Sequence, residues 1–320
     1  MFNIITLIIL FTSFIFICYL LKKNNKKQKV KLVIRLPNWI GDTLMVYPTL
    51  LALQQSKIDF ICIGHPWTNQ LFSGTNFKII SSSKIKNMYW YYKNIYKKYD
   101  FEYGIIFTKS LPIHLLMKLS NIKIFSYNYF SHIKVPYKEH KHRTENYYDL
   151  ANYFINKNIK LNKLNTIITI NKEYIKKATK IVNKFNLFDK QFIVICPYAK
   201  NLHKGKNKEW PYWKQFCDSF KKYKIVALVS NKDLKKCKKD YPNIITISKG
   251  LIGNAYIMTK AKYVLTNDSG AMHLASFFGA NIIGIFGITE IHKTKPWHGK
   301  YIIGENNSFP DLQYVINKIN

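Results

Sequence analysis

Arginine is nearly missing from this chain. Only Arg35 and Arg143 occur among 50 basic residues, although the net charge is +33. Proteins that bind nucleic acid usually rely on Arg for bidentate contacts to bases and phosphates. Lys is instead scattered over the whole sequence, so we predict no nucleic-acid partner. A general preference for anionic partners, such as phosphorylated sugars or an anionic membrane face, is compatible with this charge.

Cysteine patterns that signal a metal or redox site are also absent. The five cysteines are odd in number, widely spaced and without a metal-ligand or redox pair: Cys18, Cys62, Cys196, Cys217 and Cys237. Such residues are typical of buried thiols in a reducing compartment. The candidate site described below lacks metal-ligand spacing as well. We therefore expect a reaction that needs neither a metal nor another cofactor.

Charge is absent from the first stretch of the chain, Met1 to Leu21. This apolar run is long enough to span a bilayer, and lysines follow it directly. A secretory signal peptide would instead carry positive charge before the run and small residues at a cleavage site. We expect a single-pass anchor in the inner membrane (1–21), a basic linker (22–30) and catalytic domains on the cytoplasmic side. A helix lying in the membrane interface is the open alternative.

Strand and helix patterns alternate along the remaining chain, which favours doubly wound parallel sheets. The predicted strands are 31–36, 59–63, 78–80, 101–107, 122–127, 192–196, 225–229, 244–247, 263–265 and 282–286. The predicted helices are 43–55, 85–98, 111–119, 144–156, 173–185, 212–221, 233–239 and 271–278. Residues 128–144 have no clear period and are predicted to be a mobile loop. A polar stretch at 156–165 divides the chain into domains 31–160 and 161–320, and the cleft between them is the expected ligand site.

Two strand-to-helix turns carry the candidate chemistry. In the second half, Asn267-Asp268-Ser269-Gly270 separates a strand from a helix. The side chain of Asp268 or that of Ser269 can cap that helix, and an anionic ligand can bind the same free N–H groups. In the first half, Asp42 follows Gly41 after the strand that ends at Leu36. Its carboxylate can act as a general base or merely favour the helix dipole.

Three stretches occur in the order and spacing of one known family. They are PNWIGDTLMVYP at 37–48, CPYAK and KEWP between 196 and 211, and TNDSGAMH at 266–273. Together they resemble the bacterial lipopolysaccharide heptosyltransferases, most of all the heptosyltransferase II branch, from about Val30 to Pro296. The resemblance implies a glycosyltransferase B fold, with two Rossmann-like domains facing a cleft. It also implies inverting transfer of heptose from ADP-L-glycero-D-manno-heptose to the Kdo-lipid A inner core of lipopolysaccharide.

The resemblance assigns a role to each half of the cleft. In the first half it makes Asp42 the catalytic base, with Asn38 and Gly41 shaping the acceptor-side turn. Gly41 would give the backbone room there.

In the second half, the resemblance makes Lys208 the residue that contacts the donor phosphates. Lys204 and Lys206 lie close by in the sequence and could substitute for it. Asp268 would contact the heptose, while Ser269 and Gly270 would donate hydroxyl and amide hydrogens to the diphosphate. His273, on the first helical turn, could reach the same site.

Two stretches depart from the family pattern. Tyr198 stands where the family usually has Gly in the loop after a strand. After Val229, where relatives often carry an acidic residue for the adenosine ribose, the chain reads Ser-Asn-Lys-Asp, which makes Asp233 the candidate. These departures leave two alternatives open. One is a relative that transfers a different sugar to a cell-surface glycan, and the other is a catalytically silent sugar-nucleotide binding protein.

Overall fold

The computed structural model describes residues 32–81, 88–157, 159–161, 164–200 and 202–319. Within these residues the chain forms two parallel sheets of six strands each. The first sheet contains β1 (Leu32–Arg35), β2 (Phe60–Gly64), β3 (Lys78–Ser81), β4 (Tyr103–Ile106), β5 (Lys123–Ser126) and β6 (Ile133–Lys134). The second contains β7 (Phe192–Cys196), β8 (Lys224–Leu228), β9 (Ile245–Ile247), β10 (Tyr263–Asn267), β11 (Ile282–Phe286) and β12 (Lys300–Ile303).

Helices connect the strands of each sheet. Those associated with the first sheet are α1 (Ile40–Met45), α2 (Tyr47–Gln55), α3 (Trp67–Leu71), α4 (Met88–Tyr99), α5 (Leu111–Leu119) and α6 (Arg143–Ile155). The later ones are α7 (Lys172–Lys184), α8 (Trp213–Ser219), α9 (Leu234–Asp240), α10 (Gly250–Lys260), α11 (Gly270–Phe277), α12 (Ile291–Thr294) and α13 (Leu312–Ile319). Short 3-10 turns lie at Asn231–Asp233 and Glu305–Asn307.

The central strands are mostly apolar because both faces of each sheet are covered by helices. Every residue of β1, β2, β7 and β11 is buried. Buried side chains from the faces of the two sheets form the main hydrophobic clusters of the described chain. Such continuous apolar runs explain why the sequence pattern predicts these strands well.

The strand order places a reversal at the centre of each sheet. The first sheet has the order β3-β2-β1-β4-β5-β6 and the second β12-β11-β10-β7-β8-β9. The direction in which successive strands are added to the sheet therefore reverses between β1 and β4, and again between β7 and β10. In open parallel sheets, ligands bind at the carboxyl ends of the strands beside such a reversal. The Asp42 turn follows β1 and the Asp268 turn follows β10, so both lie at these positions.

Some predicted elements differ from the observed ones. The helix predicted at 43–55 is two helices, α1 and α2, because Pro48 occupies the first turn of a new helix. The loop predicted at 128–144 contains β6, which pairs with β5, and Val135 behind it is fully buried. Strand β12 and helices α10 and α13 were not predicted from the sequence pattern.

The predicted fold class needs one correction. The two-sheet α/β architecture of the glycosyltransferase B type is present, but the transmembrane helix predicted ahead of it is not supported. Among the residues that the structure describes, no helix is long and apolar enough to cross a bilayer. The span predicted at 1–21 and the linker at 22–30 lie outside those residues. The domain boundary at 160 and 161 stays a prediction.

Candidate active site

Asp42 lies in the first turn of α1, directly after the β1 turn, and its side chain is 19% exposed. Helix α6, about 100 residues later, holds it in place. The Arg143 guanidinium donates a hydrogen bond of 2.7 Å to Asp42 Oδ1, and the Tyr147 hydroxyl donates one of 3.3 Å to the same oxygen. One carboxylate oxygen is thus fixed by α6, which leaves Oδ2 as the oxygen that can face a substrate.

The partners of Asp42 stay in fixed protonation states. Burial opposes the charge of Arg143, but the adjacent Asp42 carboxylate and Tyr147 outweigh it, and the pKa of Arg143 is raised above its usual value. Burial and the Asp42 charge raise the pKa of Tyr147 well above its usual value. Arg143 therefore remains a cation and Tyr147 a hydroxyl donor at any pH at which the protein works.

The Asp268 turn lies across from Asp42, at the end of β10. The predicted cap of α11 is not observed, because neither Ser269 at the N-cap nor its neighbour donates or accepts a capping side-chain bond. The Ser269 hydroxyl is buried and has no hydrogen-bond partner among the described residues. A buried hydroxyl without a partner is costly unless something binds it. The turn therefore presents a free hydroxyl and free helix N–H groups together.

Lys208 lies beside this turn. Its ammonium donates a 2.7 Å hydrogen bond to the backbone oxygen of Asp268 and lies 3.9 Å from the Asp268 carboxylate. The side chains of both residues are mostly buried, at 17% and 10% exposure. Burial raises the pKa of Asp268, although the Lys208 charge opposes this rise. A cation is thus held at the helix N-terminus, where an anionic group would also bind.

Asn267 explains why Lys208 is placed there. Its side-chain oxygen accepts hydrogen bonds from the Trp210 backbone N–H at 2.8 Å and from the Trp213 indole at 3.1 Å. Its amide nitrogen donates to the Pro197 oxygen at 2.8 Å. This one buried side chain joins β10 to the loop after β7, which carries Lys208. The sequence motif included Asn267, but its role as a connector was not predicted.

The two turns meet through α1 and α11. A Cβ atom on Gly41 would lie 2.6 Å from Cδ2 of His273, and one on Gly270 would lie 3.5 Å from Cβ of Ile40. His273 is buried behind the Asp268 turn, and burial, together with the nearby cations, lowers its pKa to about 3. Its ring is neutral and packs against Gly41, and its Nδ1 is buried without a hydrogen-bond partner among the described residues. The donor-site role predicted for His273 stays a prediction.

A second link between the halves runs through His142. Its Nε2–H donates to the Lys295 backbone oxygen at 3.0 Å, and its Nδ1 accepts from the Thr144 N–H at 3.1 Å. Burial lowers the pKa of His142 to about 4. Lys293 adds a 2.7 Å ion pair to Glu139 across the same junction.

A cavity of about 750 Å³ opens next to this link, and basic side chains line much of it: His203, Lys204, Lys206, His292 and Lys295. Lys204 and Lys206, predicted as substitutes for Lys208, line this recess together with Thr289, whose side chain lies next to the Asp268 carboxyl. The turn at Lys204-Gly205 has positive φ at both residues, and a bridge between His203 and Lys206 closes it.

The structure places the two departures from the family pattern at the same sheet edge. The Tyr198 hydroxyl donates a 2.6 Å hydrogen bond to Asp240, and Lys236 lies 4.5 Å from its ring centre. Its side chain thus packs on α9. Asp233 follows β8, two strands from the Asp268 turn, or roughly 10 Å. It accepts from Ser230 at 2.5 Å and pairs with Lys200 at 3.3 Å.

Asn38 lies further out on the β1 turn, exposed, and its side-chain oxygen accepts a 2.7 Å bond from Arg35. Arg143 and Tyr147 are the site residues that sequence reasoning missed. The rarity of Arg was the signal that could have identified Arg143. Within the described ranges no group of three or more His, Cys, Asp or Glu could hold a metal ion. Metal-independent chemistry stays a prediction.

Comparisons with known proteins agree with this architecture. The chain is 26% identical to lipooligosaccharide heptosyltransferase 2 of Campylobacter jejuni (strain ATCC 700819) over 85% of either protein. The solved structure of E. coli ADP-heptose lps heptosyltransferase II superposes with a TM-score of 0.71 at 17% identity, covering 90% of this chain and 98% of that one. For E. coli heptosyltransferase WaaC with ADP, the TM-score is 0.68 at 15% identity, over 91% and 100%. These two structures show the fold.

The family assignment comes from a match over more than half of the chain. The model of glycosyltransferase family 9 (heptosyltransferase) matches residues 105–315, which include Arg143, Lys208 and the Asp268 turn. The chain therefore belongs to glycosyltransferase family 9, the heptosyltransferase family, and is a glycosyltransferase.

Proposed function

We propose that this protein transfers heptose from ADP-L-glycero-D-manno-heptose to a heptose of the lipopolysaccharide inner core, as a heptosyltransferase of type II. The observation that carries the proposal is the meeting of two turns at α1 and α11. Asp42, fixed by Arg143, lies on one side, and Ser269 with Lys208 lies on the other. A base and an anion site on opposite sides of a junction are what sugar transfer from a nucleotide donor requires.

The reaction is a single displacement. Asp42 takes the proton of an acceptor hydroxyl, and that oxygen forms a bond to the anomeric carbon of the heptose. The bond between this carbon and the phosphate oxygen breaks, and its electron pair leaves with ADP. Because attack and departure occur on opposite faces of the sugar ring, the configuration at the anomeric carbon is inverted.

The departing diphosphate gains negative charge, and the Asp268 turn is suited to stabilise it. Lys208 contributes a cation, Ser269 a hydroxyl, and Gly270 at the start of α11 a backbone N–H. Asp268 is buried beside this site, where burial raises the pKa of its carboxyl, and its oxygens can bind a sugar hydroxyl. Asp233, after β8, is the candidate for binding the ribose of the nucleotide.

The basic cavity beside α12 supports an acidic acceptor. Its His and Lys side chains come from two segments, 203–206 and 288–295, which lie next to the contact between Lys295 and His142. A Kdo-lipid A core carries carboxylates and phosphates that fit such a recess. Localisation at the cytoplasmic face of the inner membrane, where such an acceptor is built, stays a prediction.

The test is the Asp42→Asn variant of the full chain. We expect transfer from ADP-heptose to a heptose-deficient core to fall by roughly 10²–10⁴-fold, because the amide cannot accept the proton. The affinity for ADP, measured by calorimetry, should stay unchanged, since Asp42 lies on the acceptor side. Asp149→Asn, in the middle of α6, where the carboxylate pairs with Lys141 and not with the site, serves as the control and should retain transfer.

Other outcomes separate the alternatives. Transfer by the unchanged chain from another nucleotide sugar, but not from ADP-heptose, would show that the donor is different. ADP binding without transfer from any donor would identify a silent binding protein. Asp42→Asn with full activity would exclude Asp42 as the base.

A further inference from the structure

Helix α5 exposes a continuous apolar face. Leu111, Leu115 and Leu119 repeat every four residues and are 51%, 55% and 65% exposed. The opposite face of α5, with Ile113, Leu116 and Met117, is buried against the first sheet. A helix on the surface of a soluble domain normally places polar residues on its outer face. An outer face of leucines needs a partner.

The loop between β5 and β6 lies beside α5 and exposes two further apolar side chains. Tyr129 is 83% exposed and Phe130 52%. The loop is tied to α5 because His114 of the helix bonds Ser126 at 2.9 Å, and Ser126 contacts the Ser131 hydroxyl. We call the exposed apolar side chains of α5 and this loop the leucine face; its members are Leu111, Leu115, Leu119, Tyr129 and Phe130.

Positive charge surrounds the leucine face. Residues 103–138 contain no Asp or Glu, and their lysines are Lys109, Lys118, Lys123, Lys134 and Lys138. Lys134 lies 5.2 Å from the Tyr129 ring centre. His132, next to the loop, has its pKa lowered by burial and by Lys118 and Lys123, which shows that these lysines lie close to it.

Charge and apolarity together identify the partner. A second copy of this chain would bring the same lysines face to face, and a protein with an apolar patch alone would leave them unpaired. An anionic lipid surface accepts leucine and aromatic side chains in its apolar boundary and pairs lysines with its headgroups. We propose that the leucine face is the surface by which this protein docks on an anionic membrane.

The position of the leucine face fits this role. Helix α5 follows β4, whose carboxyl end lies beside that of β1. Phe107, between β4 and α5, packs on Tyr147 with ring centres 5.0 Å apart, and Tyr147 contacts Asp42. The face therefore starts at the edge of the first sheet that carries Asp42. Docking there would bring an acceptor in the membrane to that side of the junction. The docking proposal itself does not depend on which sugar is transferred.

The test uses a fluorophore that brightens in an apolar environment, attached at Leu115→Cys in the full chain. Cys18→Ser removes one competing thiol, and the other four cysteines are buried. Vesicles of phosphatidylcholine with phosphatidylglycerol should shift the emission to the blue and raise it several-fold, and salt should weaken this response. Phosphatidylcholine alone should have little effect. The matched control is Phe188→Cys, which labels a 62% exposed apolar residue elsewhere and should not respond.

A second variant tests the lysines. Lys118→Glu with Lys134→Glu should abolish the response of the Leu115→Cys label, because an anionic surface then repels the face. Several results would overturn the proposal. One is sedimentation with vesicles while the label does not respond. Another is an emission already blue-shifted without vesicles, which indicates that residues 1–31 cover the face. A response that grows with protein concentration in the absence of lipid indicates a second copy.

Discussion

At the scale of single residues, the position of Asp42 depends on a helix far along the chain. Arg143 and Tyr147 both bind the same carboxylate oxygen. A planar guanidinium fixes a carboxylate in direction as well as charge, which an ammonium does less well. Arg143 is therefore a positioning residue for the proposed base.

We expect Arg143→Gln to lower kcat on the order of 10²-fold, because a small displacement of a reacting group has a large effect on rate. ADP affinity should change little. Arg143→Lys, which keeps the charge, should recover part of kcat. Steady-state kinetics with ADP-heptose measure the first effect and calorimetry the second. Equal kcat in all three proteins would contradict a positioning role.

Sequence motifs could predict residues in the turns and loops that follow strands, because a motif at a sheet edge is a local pattern. Asp42, Lys208 and Asp268 are in this group, and the structure brings them to two adjacent turns. Arg143 could not be linked to Asp42 in this way. Their contact depends on how α6 packs on the first sheet, which no local pattern reports. The capping role predicted for Ser269 was wrong, since its buried hydroxyl makes no bond to the first turn of α11.

At the scale of helices and strands, α1 and α11 approach each other closely in the site. Gly41 makes it possible, since any side chain there would reach the His273 ring at 2.6 Å from Cβ to Cδ2. His273 is buried, so its ring has little room to move. The contact between the two halves therefore depends on the absence of a side chain at position 41.

Gly41→Ala should destabilise the protein by about 1–3 kcal/mol through overpacking. Gly270→Ala is the matched control on the facing helix. Its new methyl would meet Ile40 at an ordinary 3.5 Å, so little stability should be lost. Denaturant unfolding of both variants without ligand measures the difference. If the two variants are equally stable, Gly41 is not needed for packing.

Strands with a continuous apolar pattern were predicted well because burial on both faces leaves a strong signal. Strands β7 and β11 have the predicted ends. Strand β6 is only two residues long and was missed because its stability comes from neighbours in space. Helix α13 is amphipathic in its own sequence, with Val315 and Ile319 on the buried face, so its helical period was present in the sequence and was overlooked.

At the scale of the whole molecule, two neutral histidines lie where the halves meet. His142 accepts the Thr144 N–H through Nδ1, so protonation at that nitrogen would break the N-terminal cap of α6. His273 is enclosed between α1 and α11 and has no space for a hydrated charge. Protonation at low pH therefore destabilises the junction between the two halves first.

The free energy of unfolding should fall as the pH is lowered from 6.5 towards 4. In the folded protein the pKa values of His142 and His273 are about 4 and about 3, whereas an unfolded His titrates near 6.5. The unfolded chain thus binds more protons in this window, at about 1.4 kcal/mol per pH unit for each residue. The stability from both residues is complete above pH 6.5.

The variant His142→Asn tests this dependence, since Asn is also a good helix cap. Its free energy of unfolding should fall less steeply between pH 6.5 and 4, with a slope lower by the amount that corresponds to about one bound proton. His140→Asn, at an exposed neighbouring position, should leave the slope unchanged. A slope that His142→Asn does not alter would assign the acid sensitivity to other groups.

The scarcity of arginine gives this protein an unusual chemical selectivity. A reagent that attacks guanidinium groups, such as phenylglyoxal, modifies most proteins at many sites. Here it can meet only Arg35, which is 9% exposed, and Arg143, whose side chain is 32% exposed. We expect mass spectrometry to find one adduct, on Arg143, and transfer to be lost in proportion to it. A reagent normally considered indiscriminate should thus act here as a label for the residue that holds Asp42.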